Sequence, residues 1–209
     1  MKTFCLREIS DDIIHCLTEA LDAKDPYTSG HSHRVGEMSY DLAVAMGLPP
    51  FECQLIHIAG HVHDIGKIGI PDSILHKDGP LNDEEWAVIQ KHPQIGHGIL
   101  SKCERLSEIA RIILHHHERF DGKGYPLGLS GQNITIGGRI IAVCDTIDAM
   151  TSCRPYRSAY SWQASYQEVI KNAGTQFDPD VVNAMIPLFP KWEQRFHGEG
   201  EKKPSSHIA

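Results

Sequence analysis

Apolar residues recur along this chain at spacings of three and four, the period of an α-helix with one buried face. Ile13, Ile14, Leu17 and Leu21 trace one such stripe, with Ser10 placed to cap it and Pro26 in the break behind it. Val35, Met38, Leu42 and Met46 trace a second, predicting a helix over about 29–46 that Gly47 and Pro49-Pro50 bring to a stop. A third helix fits 51–64. Then comes "GKIGIPDSIL", a loop leading into a short helix. Asn82 with Glu85 forms an N-terminal capping pair ahead of Trp86, Val88 and Ile89. Pro93 sets a boundary at His92, since the residue before proline avoids the helical region. Further helices are expected over about 93–102, 106–117, 137–150 and 161–173, and Pro179 opens a last one. Residues 118–137 are glycine-rich and read as a long loop, of the kind that is usually functional or disordered. No alternating pattern argues for a strand. The expectation is one all-α domain over 1–191, with its core at about 21–177, and a polar, frayed tail over 192–209.

Composition adds limits. A 41% hydrophobic and 22% charged chain is ordinary for a globular domain with a real core. A net charge of -7 argues against a broad nucleic-acid-binding surface, while leaving room for a small basic pocket. No apolar run approaches the roughly 18 residues of a membrane span. The N-terminus lacks a signal peptide's apolar block. Six cysteines without a CxxC pair read as reduced thiols, so a cytoplasmic location is expected.

Histidine stands out, with 14 residues against 6 Phe and 6 Tyr. His115, His116 and His117 run directly into the glycine-rich loop, which a metal, an anion or chance would each explain. His63-Asp64 closes an apolar helix; a neutral nitrogen beside two carboxylate oxygens can bind a cation, and one carboxylate can bridge two. His31 lies near a helix start, and His92 at a helix end. Asp145 falls in the apolar stretch "IIAVCDTIDAM", where a carboxylate is costly unless paired or coordinated. Helical bundles build metal centres by pointing such groups inward from several helices. The other histidines, His33, His57, His61, His76 and His97, read as surface or structural residues. His57 and His61 share the i, i+4 spacing of two zinc ligands, but Ile58 stands where an HExxH metalloprotease has Glu. Asp25 and Asp148 either orient ligands through hydrogen bonds or cap helices.

The order His31, His63-Asp64, Asp145 resembles the HD superfamily of metal-dependent phosphohydrolases. The segments "HDIGKIGIP" (63–71), "HPQIG" (92–96), "HHERFDGKGYP" (116–126) and "TSCRPYR" (151–157) resemble its HD-GYP branch. The resemblance implies a helical bundle with a metal centre in its core and hydrolysis of cyclic di-GMP to linear pGpG or on to GMP by a metal-bridging hydroxide. It implies His31, His63, Asp64, His92, His116, His117 and Asp145 as metal ligands, with Asp64 bridging two ions, iron or manganese first and zinc, nickel or cobalt next. Lys67 would meet a substrate phosphate or assist proton transfer, Arg154 and Arg157 would bind phosphate or guanine, and Asp148 would support a ligand. Gly124, Tyr125 and Pro126 would shape the substrate pocket or a surface for a second copy or a signalling partner. Members with three metals carry Glu four residues before the first histidine; Tyr27 stands there, and a phenol is a poor substitute, so two metals are expected. Cys153 also departs from the usual Asp. Two other readings stay open: a cyclic dinucleotide sensor with little turnover, and a phosphohydrolase acting on another nucleotide such as cyclic GMP-AMP.

Overall fold

A computed structural model describes residues 6–25, 30–153 and 158–197, with side chains from residue 12 onward in the first of these segments. Among the described residues the chain is helical, and the sole β feature is an isolated bridge between Ala173 and Phe177. The helices are α1 (Leu6–Lys24), α2 (His31–Ala45), α3 (Pro50–Val62), α4 (Asp72–Leu75), α5 (Asp83–Ile89), α6 (His92–Leu100), α7 (Ser107–Leu114), α8 (Ile136–Thr151), α9 (Trp162–Lys171), α10 (Pro179–Met185) and α11 (Phe189–Phe196). A 3-10 turn over Ile65–Gly69 follows α3 directly. No helix of the described residues is long and apolar enough to cross a membrane.

The α2–α3 pair forms the centre, with α8 laid against α2, and α6 against both α7 and the 3-10 turn. Val35, Met38 and Leu42 are fully enclosed there, as the periodicity requires, beside Ile113, Ile141 and Ile147. Two glycines let α2 and α3 approach: a Cβ on Gly60 would lie 2.7 Å from Gly36 Cα. Asn82 and Glu85 exchange both hydrogen bonds of the capping box, each at 2.8 Å.

Three expectations need correction. Helix α1 begins at Leu6, so Ser10 lies within the helix and does not start it. Its apolar stripe is only partly used: Leu21 is buried, but Ile13 and Leu17 are exposed, because the core meets α1 only near its end, at Thr18, Leu21 and Asp25. The stretch from Trp192 is not a frayed tail up to Phe196. Helix α11 runs through it, Trp192 and Phe196 are buried, and the Trp192 indole donates to Asp41 at 3.0 Å. Spacing of aromatic residues four apart outweighs the polar residues between them.

Candidate metal centre

His31 opens α2, His63 and Asp64 close α3, His92 opens α6, His116 and His117 follow α7, and Asp145 lies on α8. All but Asp145 sit at or beside an element end, and Asp145 lies on α8 where that helix packs against α2, so short side chains can reach a shared interior point. The fold brings six of them into two triads. In one, His31, His63 and Asp64 present donor atoms within 4.8 Å of one another; in the other, His92, His116 and His117 do the same. Asp64 stands between the two: its Oδ2 lies 3.4 Å from His63 Nε2 and its Oδ1 lies 3.3 Å from His92 Nε2. Asp145 Oδ1 lies 3.3 Å from His31 Nε2.

Backbone carbonyls set the histidine tautomers. His63, His92 and His116 each donate Nδ1–H to the carbonyl three residues upstream, of Gly60, Ile89 and Ile113, at 2.8, 2.8 and 2.5 Å. Nε2 of each ring is thereby left with a lone pair turned inward. Burial, joined by neighbouring imidazoles, holds His116 well below the usual histidine range, and burial likewise lowers His92. His117 is pushed down to about 3, first by burial and then by His92. These rings are neutral. Two neutral Nε2 lone pairs, of His92 and His116, then face each other at 3.2 Å, and His63 Nε2 is buried with no hydrogen-bond partner. Such a contact is unfavourable unless a cation lies between or beside the nitrogens. The carboxylates complete the match. Burial opposes ionisation of Asp64 and Asp145, but Lys67 and His63 hold the first, and His31 the second, below the ordinary carboxylate range. Neutral imidazoles and ionised carboxylates are the donor set of a divalent transition metal, so the residues fit such an ion.

Behind these groups lies a supporting layer. His31 Nδ1–H donates to Asp148 Oδ2 at 2.7 Å, and Arg34 grips the same carboxylate through Nε at 2.5 Å and Nη2 at 3.0 Å. A buried carboxylate thus holds the far nitrogen of the His31 ring. Burial would lower His31, but Asp145 and Asp148 outweigh it and raise it to about 9. Lys67 Nζ sits 2.8 Å from Asp64 Oδ2 and 3.0 Å from Asp25 Oδ2. Those two carboxylates overcome burial and raise the ammonium above its usual range. Gly66 makes the arrangement possible, because a Cβ there would lie 1.9 Å from the His92 carbonyl oxygen.

The glycine-rich segment 118–135 is ordered by hydrogen bonds within itself and to residues 175–176. Glu118, buried, accepts from the N–H groups of Leu127 at 2.6 Å and Leu129 at 3.0 Å. Phe120 and Asp121 donate backbone N–H to the carbonyls of Gln176 and Thr175. A Cβ on Gly124 would lie 2.3 Å from Arg119 N and 2.5 Å from the His117 carbonyl, so only glycine lets the loop fold back there. The Tyr125 ring then stacks on His117, centroids 4.8 Å apart, with Trp86 edge-on to it at 6.4 Å. Tyr125-Pro126 is a cis peptide bond. His115 turns elsewhere, its Nδ1 accepting from Thr135 N–H at 3.2 Å.

Sequence reading missed Glu118 and Arg34, whose partners are distant or backbone atoms; a carboxylate directly after the histidine triple was the only local signal for the first. Tyr27, Arg154 and Arg157 lie outside the described residues.

The profile of the HD domain family matches residues 15–181. The chain is 39% identical over 183 residues to the 3'3'-cGAMP-specific phosphodiesterase 2 of Vibrio cholerae, covering 87% of this chain and 35% of that protein. It is 40% identical over 172 residues to the cyclic di-GMP phosphodiesterase response regulator RpfG of Xanthomonas campestris, covering 81% of this chain and 46% of that protein. The chain therefore spans less than half the length of these curated relatives. Its fold matches a cyclic GMP-AMP specific phosphodiesterase of V. cholerae (V-cGAP3) with a TM-score of 0.70 at 18% identity, covering 89% of this chain and 50% of the other.

Proposed function

Because the chain belongs to the HD domain family, in its HD-GYP branch, we propose that it is a metal-dependent phosphodiesterase acting on cyclic di-GMP in the cytoplasm. The observation that carries this reading is the convergence of two buried histidine nitrogens, of His63 and His92, on the two oxygens of one carboxylate, Asp64. His31, His63, Asp64, His92, His116, His117 and Asp145 would hold two divalent ions, with Asp64 shared between them. Such ions neutralise a phosphodiester and acidify water, which is the chemistry that phosphodiester hydrolysis needs. A third ion has no carboxylate at position 27 to hold it. Iron or manganese suits mixed nitrogen and oxygen donors.

The chain's own groups divide the remaining work. Asp148 and Arg34 keep His31 Nε2 pointed at the centre. The Lys67 ammonium, fixed between Asp64 and Asp25, keeps its proton and contributes positive charge beside a scissile phosphate. That favours charge stabilisation over proton transfer for this residue. Tyr125 is held protonated by burial and by Asp145 and Asp64, so its phenol can donate a hydrogen bond to an anionic ligand at the centre. Gly124 and Pro126 fix where that ring lies, and Arg154 and Arg157 would supply further contacts to phosphate or guanine.

A second substrate reading is favoured by the cyclic GMP-AMP specificity in the name of one relative. One experiment separates the two. The purified chain is analysed for iron, manganese and zinc, loaded with each, and offered cyclic di-GMP and 3'3'-cGAMP, with products resolved by chromatography. Turnover of cyclic di-GMP to pGpG or GMP is expected. Turnover of 3'3'-cGAMP alone would shift the substrate, and binding of either without turnover under every metal would make the chain a sensor.

A further inference from the structure

A second cluster of histidines lies outside the centre described above. We propose that Glu37, His57 and His61, with His33 at the rim, form a separate site for a divalent transition metal of the zinc class. Two i, i+4 pairs build it: His33 and Glu37 on α2, His57 and His61 on α3. His33, Glu37 and His61 offer donor atoms that all lie within 4.8 Å of one another. His57 Nε2 lies 3.0 Å from Glu37 Oε1 and 3.1 Å from His61 Nε2. Those separations approach the roughly 3.3 Å between donors around a tetrahedral ion with bonds of about 2.05 Å.

Three observations point to a ligand here instead of a plain hydrogen-bonded cluster. A single hydrogen on His57 Nε2 can serve Glu37 or His61 but not both well, whereas a cation serves all three atoms. Arg195 binds Glu37 Oε2 and so fixes the carboxylate with Oε1 turned to the imidazoles. The backbone is shaped for the ring: a Cβ on Gly36 would lie 2.6 Å from His61 Cδ2 and 2.7 Å from its Nε2. Imidazoles with one carboxylate select zinc, cobalt or nickel over magnesium or calcium. His33 and His61 stand two residues from His31 and His63, about 200° round their helices, so the site faces away from the first centre. An ion there would clasp α2 to α3 directly behind it.

The test uses the full chain, stripped of metal by chelation and titrated with Zn2+ by calorimetry and with Co2+ by visible absorption. The parent should bind one equivalent more than a Glu37→Gln, His57→Ala double variant. Asp64→Ala, which damages the first centre, should keep that equivalent and its tetrahedral Co2+ bands. His33→Ala, a change at an exposed residue, should weaken this class of binding by more than about tenfold. Far-UV circular dichroism checks folding in each. Equal stoichiometry and affinity in the parent, the double variant and His33→Ala would overturn the proposal, as would loss of all Zn2+ binding from folded Asp64→Ala. Should the double variant fail to fold, the His33→Ala comparison decides by itself.

Discussion

Gly66→Ala is the sharpest perturbation of the candidate centre, because it adds one methyl group and replaces no proposed ligand. The new Cβ would lie 1.9 Å from the His92 carbonyl oxygen, 2.6 Å from Gly96 N and 2.8 Å from His92 C. All three are backbone atoms, and none can rotate aside. Carbon–oxygen contacts are rarely closer than about 3.3 Å, so the 3-10 turn and the start of α6 must part by more than about 1 Å. Overpacking of this kind costs roughly 1–3 kcal/mol, and the rigid neighbours put it near the top of that range. For a chain of this size, that lowers Tm by roughly 6–12 °C. The same shift separates Asp64 from His92 and should lower kcat/KM for the proposed hydrolysis of cyclic di-GMP by about 10²-fold, the expected consequence of a misplacement near 1 Å. Gly98→Ala, on the neighbouring α6 with nothing near its added Cβ, is the control and should leave both values at or above the parent's. Differential scanning calorimetry and a chromatographic assay read the two outcomes. A Gly66→Ala protein with parental Tm and kcat/KM would refute the packing account of how His92 meets Asp64.

Other expectations follow from the same geometry. Asp64→Ala removes the carboxylate whose two oxygens face His63 of one triad and His92 of the other, and should abolish metal loading of one or both; full loading by elemental analysis would contradict its proposed bridging place. Asp148→Asn withdraws the charge that orients His31, and metal affinity at the centre should fall by about 10–100-fold in a chelator competition. Glu118→Gln leaves one of two N–H groups facing another N–H group and should cost about 1.5–3 kcal/mol; faster hydrogen exchange over 120–131 and a raised KM would register it, and an unchanged exchange rate would deny the brace. Glu37 is pushed down to about 2, first by its hydrogen bond with His57, from an ordinary value of 4.5. Its folded value is depressed, so its contribution to stability is present above pH 4.5 and fades as pH falls toward 2. Metal-free Glu37→Gln should therefore lose less stability than the parent between pH 5.5 and 3.5 in urea titrations; identical slopes would count against this.

Most of the helical layout and the candidate ligand set was legible in the sequence, for two different reasons. Helices showed through apolar spacing, as at Val35, Met38 and Leu42, whose burial is complete. Proposed ligands showed through incongruity: Asp145 in an apolar run, or a histidine triple ahead of glycines. What stayed hidden depends on partners far along the chain. Arg34 looks like any surface cation until α8 brings Asp148 to it across 114 residues. Glu118 acts on backbone N–H groups, which carry no residue identity to read. Trp192 is ringed by charged neighbours in sequence, and only its docking beside Asp41 shows that it belongs inside. The reverse error at Ile13 and Leu17 has the same root, since a stripe says which residues share a face but not whether anything covers it.

Lys67 is gripped by a carboxylate from before α2 and another from the end of α3, and His31 waits for Asp145 and Asp148 on α8. While the polypeptide is being synthesised, His31, His63 and Asp64 leave the ribosome long before α8 does. Until α8 arrives the nascent chain can offer a cation only an incomplete, loosely held set of donors. The proposed set of donors is complete only once α8, at Ile136–Thr151, has emerged and folded back on α2.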